Sequence, residues 1–120
     1  MKHSLLVLLA LIAPGVALAD GDPAAGAIVF HKCTICHSAT EGQNRVGPSL
    51  FGVVGRKAGT EPGFNYSEAM RESGKTWDPA TLDTYLAHPR EIVPGTKMAF
   101  GGLPVAADRS NVIAYLETLK

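Results

Sequence analysis

Cys33-Thr34-Ile35-Cys36-His37 is the stretch on which the reading of this chain turns. Two thiols three positions apart, followed at once by an imidazole, can hold one haem by three bonds. The sulfurs add to the porphyrin vinyl groups as thioethers, and the next residue places a ring nitrogen on the iron. One helical turn spans the vinyl edge and leaves His37 under the macrocycle. Two other chemistries use a C-x-x-C: a redox disulfide and half of a zinc site. The first wants a βαβ frame, which the flanking sequence lacks. The second wants a fourth ligand, and no further Cys or His follows nearby, the other histidines being His3, His31 and His88. Both cysteines fall in this motif, so none is left for a structural disulfide.

The ends of the chain frame that motif. Residues 1–19 read as a secretory signal peptide: Lys2 and His3 make a basic start, Ser4 to Ile12 an apolar run, Pro14-Gly15 a break, and Ala17-Leu18-Ala19 a cleavage site. The run is too short to span a bilayer, so the expectation is export and cleavage, with no stable membrane insertion and a single domain over 20–120. Eleven Lys and Arg, less Lys2, then face eleven Asp and Glu, a balance close to neutral. Nucleic-acid binding wants a strong basic excess and is not expected. A domain this small gains much from a large buried cofactor.

Helix signals recur along the chain. Asp22-Pro23 opens a first helix through Phe30, with Asp as N-cap and Pro at the first helical position. Gly26, a poor helix former one turn before Phe30, is either a point of close helix approach or an exposed glycine of no consequence. Ser67 to Ser73 reads as a short helix closed by Gly74. Asp78-Pro79 repeats the first start, with Leu82, Tyr85 and Leu86 on one face of a helix that stops before Pro89. From Val105 a last helix runs to the end, with Val112, Leu116 and Leu119 in register beside Tyr115. Residues 38–45, the glycine-rich 47–59 and 92–104 read as loops. With no persistent strand pattern the expectation is all-α, and such long structured loops need something to fold around.

The order of these motifs resembles the class I cytochromes c along essentially the whole chain after residue 19, and is most similar to the mitochondrial protein and its small bacterial periplasmic relatives. The resemblance is carried by Asp22-Pro23 with Gly26 and Phe30, the haem motif, Gly47-Pro48-Ser49-Leu50, Gly55-Arg56-Lys57, Thr76-Trp77, Tyr85-Leu86 with Pro89, Pro94 to Met98 with Phe100, and Ile113 to Leu116. It implies the cytochrome c fold around one haem c, covalent through Cys33 and Cys36, with His37 and Met98 as the axial ligands. By the same likeness Pro48 accepts the His37 N–H, Tyr85 hydrogen-bonds the Met98 sulfur, and Arg56, Tyr66, Trp77 and Thr96 belong to the network that holds the haem propionates. Taken singly, the alternatives are a surface Arg, a core Tyr and a core Trp. Met70 departs from the mitochondrial pattern, which has an asparagine there in an internal water network.

The implied function is a periplasmic one-electron carrier, a monomer cycling between Fe(III) and Fe(II) in a respiratory or photosynthetic chain, and not an enzyme. Implied partners are redox proteins: a membrane cytochrome complex, and an oxidase, a photosynthetic reaction centre or a periplasmic dehydrogenase. Lys32, Arg45, Arg90 and Lys97 near the expected haem edge would orient such a partner or be ordinary solvated charges. The alternative function is a haem ligand-binding or peroxidatic protein with an open iron position.

Overall fold

Asp22 and Asp78 each precede a proline, and each caps a helix in the computed structural model, which describes residues 21–120. The expected export signal lies outside the described residues. The carboxylate of Asp22 accepts from Ala24 N–H at 2.9 Å and opens α1, Pro23–Phe30. That of Asp78 accepts from Thr81 N–H at 2.8 Å and opens α3, Pro79–Ala87. Between them α2, Glu68–Glu72, is capped by the Ser67 hydroxyl and followed by Gly74 at φ 66°. A positive φ there is what a glycine after the helix supplies.

Pro89 does more than end α3. It opens a one-turn helix, α4, Pro89–Ile92, where the sequence reading has only a stop. The last helix, α5, is Ala106–Glu117, shorter than the reading to the chain end. Its carbonyls at the C-terminus are taken by Thr118, whose hydroxyl reaches Tyr115 O at 2.6 Å, so Leu119 lies just past the helix, still packed against the core. No strand forms among the described residues; an isolated bridge there joins Lys57 and Thr76.

α1 crosses α5 at Gly26, where a Cβ would collide with the main-chain oxygen of Asn111 and lie 2.9 Å from the Cβ of Tyr115. Close approach, rather than idle exposure, accounts for this glycine. Asn111 returns the contact by accepting the N–H of Asp22 at 2.9 Å, and Phe30 stacks on Tyr115 with ring centres 4.9 Å apart. Val112, Ile113 and Leu116 of α5, Leu82 and Tyr85 of α3, and Val53, Ala58, Tyr66, Trp77, Val93 and Leu103 complete the buried core. All-α packing of this kind places the haem motif directly after α1 and the Met98 loop directly before α5.

Candidate functional site

α1 does not end abruptly at Phe30. The N–H groups of Cys33 and Thr34 both reach Phe30 O, at 2.8 and 3.2 Å, and those of Cys36 and His37 both reach Cys33 O, at 3.1 and 2.9 Å. The last of these is a helical i to i−4 bond, which stacks His37 over Cys33 on one face of the turn. Both thiols are free and half-buried. Burial above all, then the neighbouring Cys36, pushes the Cys33 thiol up, with Lys32 opposing. A redox-active dithiol calls for the opposite shift. Among the described residues no three of His, Cys, Asp and Glu converge as zinc would require.

His37 is oriented by its second nitrogen. Its Nδ1–H donates to Pro48 O at 2.7 Å, which assigns the proton to Nδ1 and leaves the Nε2 lone pair for a metal. Burial lowers the ring's pKa most, the Pro48 bond opposing and the Arg56 charge adding to the fall, so the imidazole is neutral. The Pro48 carbonyl is bracketed on both sides: Gly47 N–H donates to Cys36 O at 2.8 Å, and Ser49 N–H to Asn44 Oδ1 at 3.0 Å. Ser49 is wholly buried and its hydroxyl donates to Thr40 O at 2.6 Å.

Met98 sits half-buried on the loop between α4 and α5. The Tyr85 hydroxyl of α3 points at its sulfur from 3.8 Å, within reach for a sulfur acceptor. Its N–H donates to the Thr96 hydroxyl at 3.3 Å. Burial pushes the Tyr85 phenol up, the Thr96 hydroxyl opposing, so it stays a neutral donor. Trp77 packs on Tyr85 with tilted rings, their centres 4.7 Å apart.

Of the four residues expected at the propionates, Arg56 and Tyr66 meet around an acid that the sequence reading does not single out. Trp77 joins them through its main-chain N–H, which donates to Arg56 O at 2.9 Å, and Thr96 lies apart from that acid, at Met98. Arg56 donates to Glu61 at 2.9 Å, to Ser49 O at 3.0 Å and to Phe51 O at 3.3 Å. Glu61 N–H donates in turn to the Tyr66 hydroxyl at 3.0 Å. Arg56 thus joins the loop that carries Pro48 to the loop that carries Tyr66. No local signal marks Glu61, because its partner is five positions back across the glycine turn at Gly59. Gly47 carries a usable signal, a glycine just before the expected acceptor. A Cβ on it would fall 2.7 Å from Nδ1 and 2.9 Å from Nε2 of His37.

The groups brought together are therefore two cysteine sulfurs outside any disulfide, an imidazole with Nε2 available and a thioether facing a phenol. Leu50, Met70, Met98 and Phe100 pack against the core cluster while staying partly open, and a porphyrin needs such an apolar lining. The set fits a covalently attached haem.

Comparison with known proteins agrees. The chain is 55% identical over 101 residues to a cytochrome c2 of Rhodopila globiformis, covering 83% of this chain and 95% of the relative. It is 54% identical over 110 residues to a cytochrome c2 of Rhodomicrobium vannielii, covering 91% and 88%. The solved structure of cytochrome cH from Methylobacterium extorquens superposes with a TM-score of 0.78 at 47% identity, covering 82% of this chain and 99% of that one. No family model matches the chain. A haem protein of small all-α architecture is the class that fold and site define, and the chain belongs within it to the class I cytochromes c. It is an electron carrier with one haem c bound through Cys33 and Cys36.

Proposed function

We propose that this chain is an exported, periplasmic carrier, not an enzyme, whose iron is held by His37 and Met98 and which meets its redox partners as a monomer. The observation that carries the ligand assignment is the pair of supports behind the two donors: Pro48 O on the Nδ1–H of His37 and the Tyr85 hydroxyl on the Met98 sulfur. When bound, the haem supplies an iron that gains or loses one electron.

Everything else falls to the chain. Cys33 and Cys36 would anchor the group through their sulfurs. His37, fixed in its neutral tautomer, donates Nε2 without having to rotate or lose a proton. Tyr85 keeps the thioether turned inward, and Trp77 packs on Tyr85. Arg56 and Tyr66, gathered at Glu61, Trp77, whose main-chain N–H donates to Arg56 O, and Thr96 beside Met98 serve the propionate side, where charge and donated hydrogen bonds hold carboxylates inside a protein. With His37 and Met98 as its ligands, the iron would keep no position for a substrate.

Docking is assigned to the surface beside the motif. Ile35 and Val46 are 81% and 78% exposed. Arg45 donates to Thr34 O at 3.2 Å and Gly47 N–H to Cys36 O at 2.8 Å, so the two stretches lie side by side. Lys32 and Arg45 are exposed at that rim. An apolar centre with cations around it suits a redox protein with an acidic rim, such as a membrane cytochrome complex on one side and an oxidase, reaction centre or periplasmic dehydrogenase on the other. No helix among the described residues is long and apolar enough to cross a membrane.

The ligand assignment is tested by the absorption of the oxidised holoprotein. A weak red band from a sulfur-to-iron bond is expected, lost in Met98→Ala with the haem still attached. A wild-type protein without that band at neutral pH overturns the reading and favours an open iron position.

A further inference from the structure

The loop that carries Met98, residues 93–105, is tied by main-chain hydrogen bonds near its ends and not over 99–102. Before Met98, Thr96 N–H donates to Val93 O at 3.0 Å, and the Lys97 ammonium to Asn65 O at 3.1 Å. Residues 99–102 make no main-chain hydrogen bond to another described residue. The far shoulder is pressed onto the end of α3. Leu103 N–H donates to Leu86 O at 2.7 Å, and Gly102, at φ 106°, leaves no room for a Cβ against Ala87 O.

One side chain grips that shoulder from α5. Arg109 donates from Nε to the Asp83 carboxylate at 2.8 Å, and from one terminal nitrogen to Leu103 O at 2.7 Å and Pro104 O at 3.2 Å. Its side chain is 14% exposed, that of Asp83 48%. Asp83, Leu86 and Tyr85 all belong to α3, so the helix that aims the hydroxyl at the Met98 sulfur also receives the loop and its clamp. A guanidinium is suited to this task, because its planar fork meets several acceptors at once and a point-charged ammonium does not.

We propose that Arg109 is a positioning residue for Met98: by binding two carbonyls of the loop and the acid of α3 together, it keeps the thioether at the Tyr85 hydroxyl and on the iron. The inference rests on Met98 being the ligand. It adds that the bond depends on a residue that touches neither the metal nor the methionine.

The test uses the holoprotein of the wild type, Arg109→Met, Arg109→Lys and Asp83→Asn. The red sulfur-to-iron band of the oxidised state is followed with temperature beside the far-ultraviolet helix signal, and the reduction potential is measured. In Arg109→Met the band fades well before the helices melt and the fraction of detached sulfur rises about tenfold or more, the scale of a lost charged hydrogen bond. The potential falls, since a detached thioether no longer favours ferrous iron. Arg109→Lys recovers part of both signals. Asp83→Asn, at a half-exposed position that tolerates change, moves them in the same direction by less, and decides the matter alone should Arg109→Met fail to fold. Variants that lower the melting temperature while band and potential follow the wild type up to unfolding overturn the inference and leave the ligand reading intact. A wild type without the band overturns both.

Discussion

The Nδ1–H of His37 points at the main-chain oxygen of Pro48 across 2.7 Å, and the glycine before that proline lies flat against the same ring. The two contacts act together. The carbonyl fixes which nitrogen carries the proton, and the missing side chain at 47 lets the backbone come near enough to offer it. Gly47→Ala puts a methyl 2.7 Å from Nδ1, closer than any packing tolerates, so the ring or the 44–50 loop must shift. A loss of about 1–3 kcal/mol in stability of the holoprotein is expected, the scale of an overpacked site, together with a changed reduction potential. Denaturant titration and potentiometry read the two, and a variant with wild-type values of both would show that the ring is not held by this contact.

Gly26→Ala sets two effects against each other. Alanine favours a helix by about 1 kcal/mol over glycine, but its methyl would overlap the Asn111 carbonyl of α5. Backbone on a partner helix cannot turn aside, so the overlap wins and a net loss of about 2 kcal/mol is expected. Ile28→Ala, on the same helix at a side chain 69% exposed, should change stability by no more than about 0.5 kcal/mol. Thermal or chemical unfolding of both variants tests the contrast, and equal losses would discredit it.

What can be read from the sequence is local. Asp22-Pro23, Asp78-Pro79 and Ser67 with Gly74 each announce a helix end through chemistry contained in a few residues, and each end is where that chemistry puts it. The pairing of His37 with Pro48 is legible only through resemblance, since eleven positions separate the donor from its acceptor. Pro89 is half legible. The same ring that stops α3 supplies the fixed φ for the first position of α4, and a stop signal does not reveal a restart. Glu61 and Asp83 are not visible at all, because each is recruited by an arginine brought near by the fold, Asp83 from 26 positions away.

Arg56→Met would separate the loops that Arg56 now joins. It removes three donated bonds and leaves Glu61, 12% exposed at its side chain, without its cation. Breaking an enclosed pair from one side costs about 3 kcal/mol. Glu61→Gln should cost less, because the guanidinium keeps the Ser49 and Phe51 carbonyls and the amide oxygen still accepts. The order of the two losses, measured by denaturant titration of the holoproteins, is the decisive result: a larger loss in Glu61→Gln would mean that the acid, and not the arginine, organises these loops.

Asp78 gives the fold an acid-sensitive joint at the start of the helix that carries Tyr85. Its carboxyl lies below the ordinary range, chiefly because Thr81 N–H donates to it, the Thr81 side chain adding to the effect. A depressed folded-state value means that the unfolded chain takes up its proton first as the pH falls. The contribution of the ionised cap is complete above the unfolded value, near pH 4, and is lost as the pH drops through the lower folded value. The side-chain amide that Asp78→Asn introduces cannot titrate but still offers an oxygen to the same N–H groups. Wild type should therefore exceed Asp78→Asn in stability at neutral pH and lose that advantage progressively on acidification below about pH 4. Unfolding measured at a series of pH values gives the comparison. A gap between the two proteins that stays constant into acid would show that the cap works through geometry alone and that its charge contributes nothing.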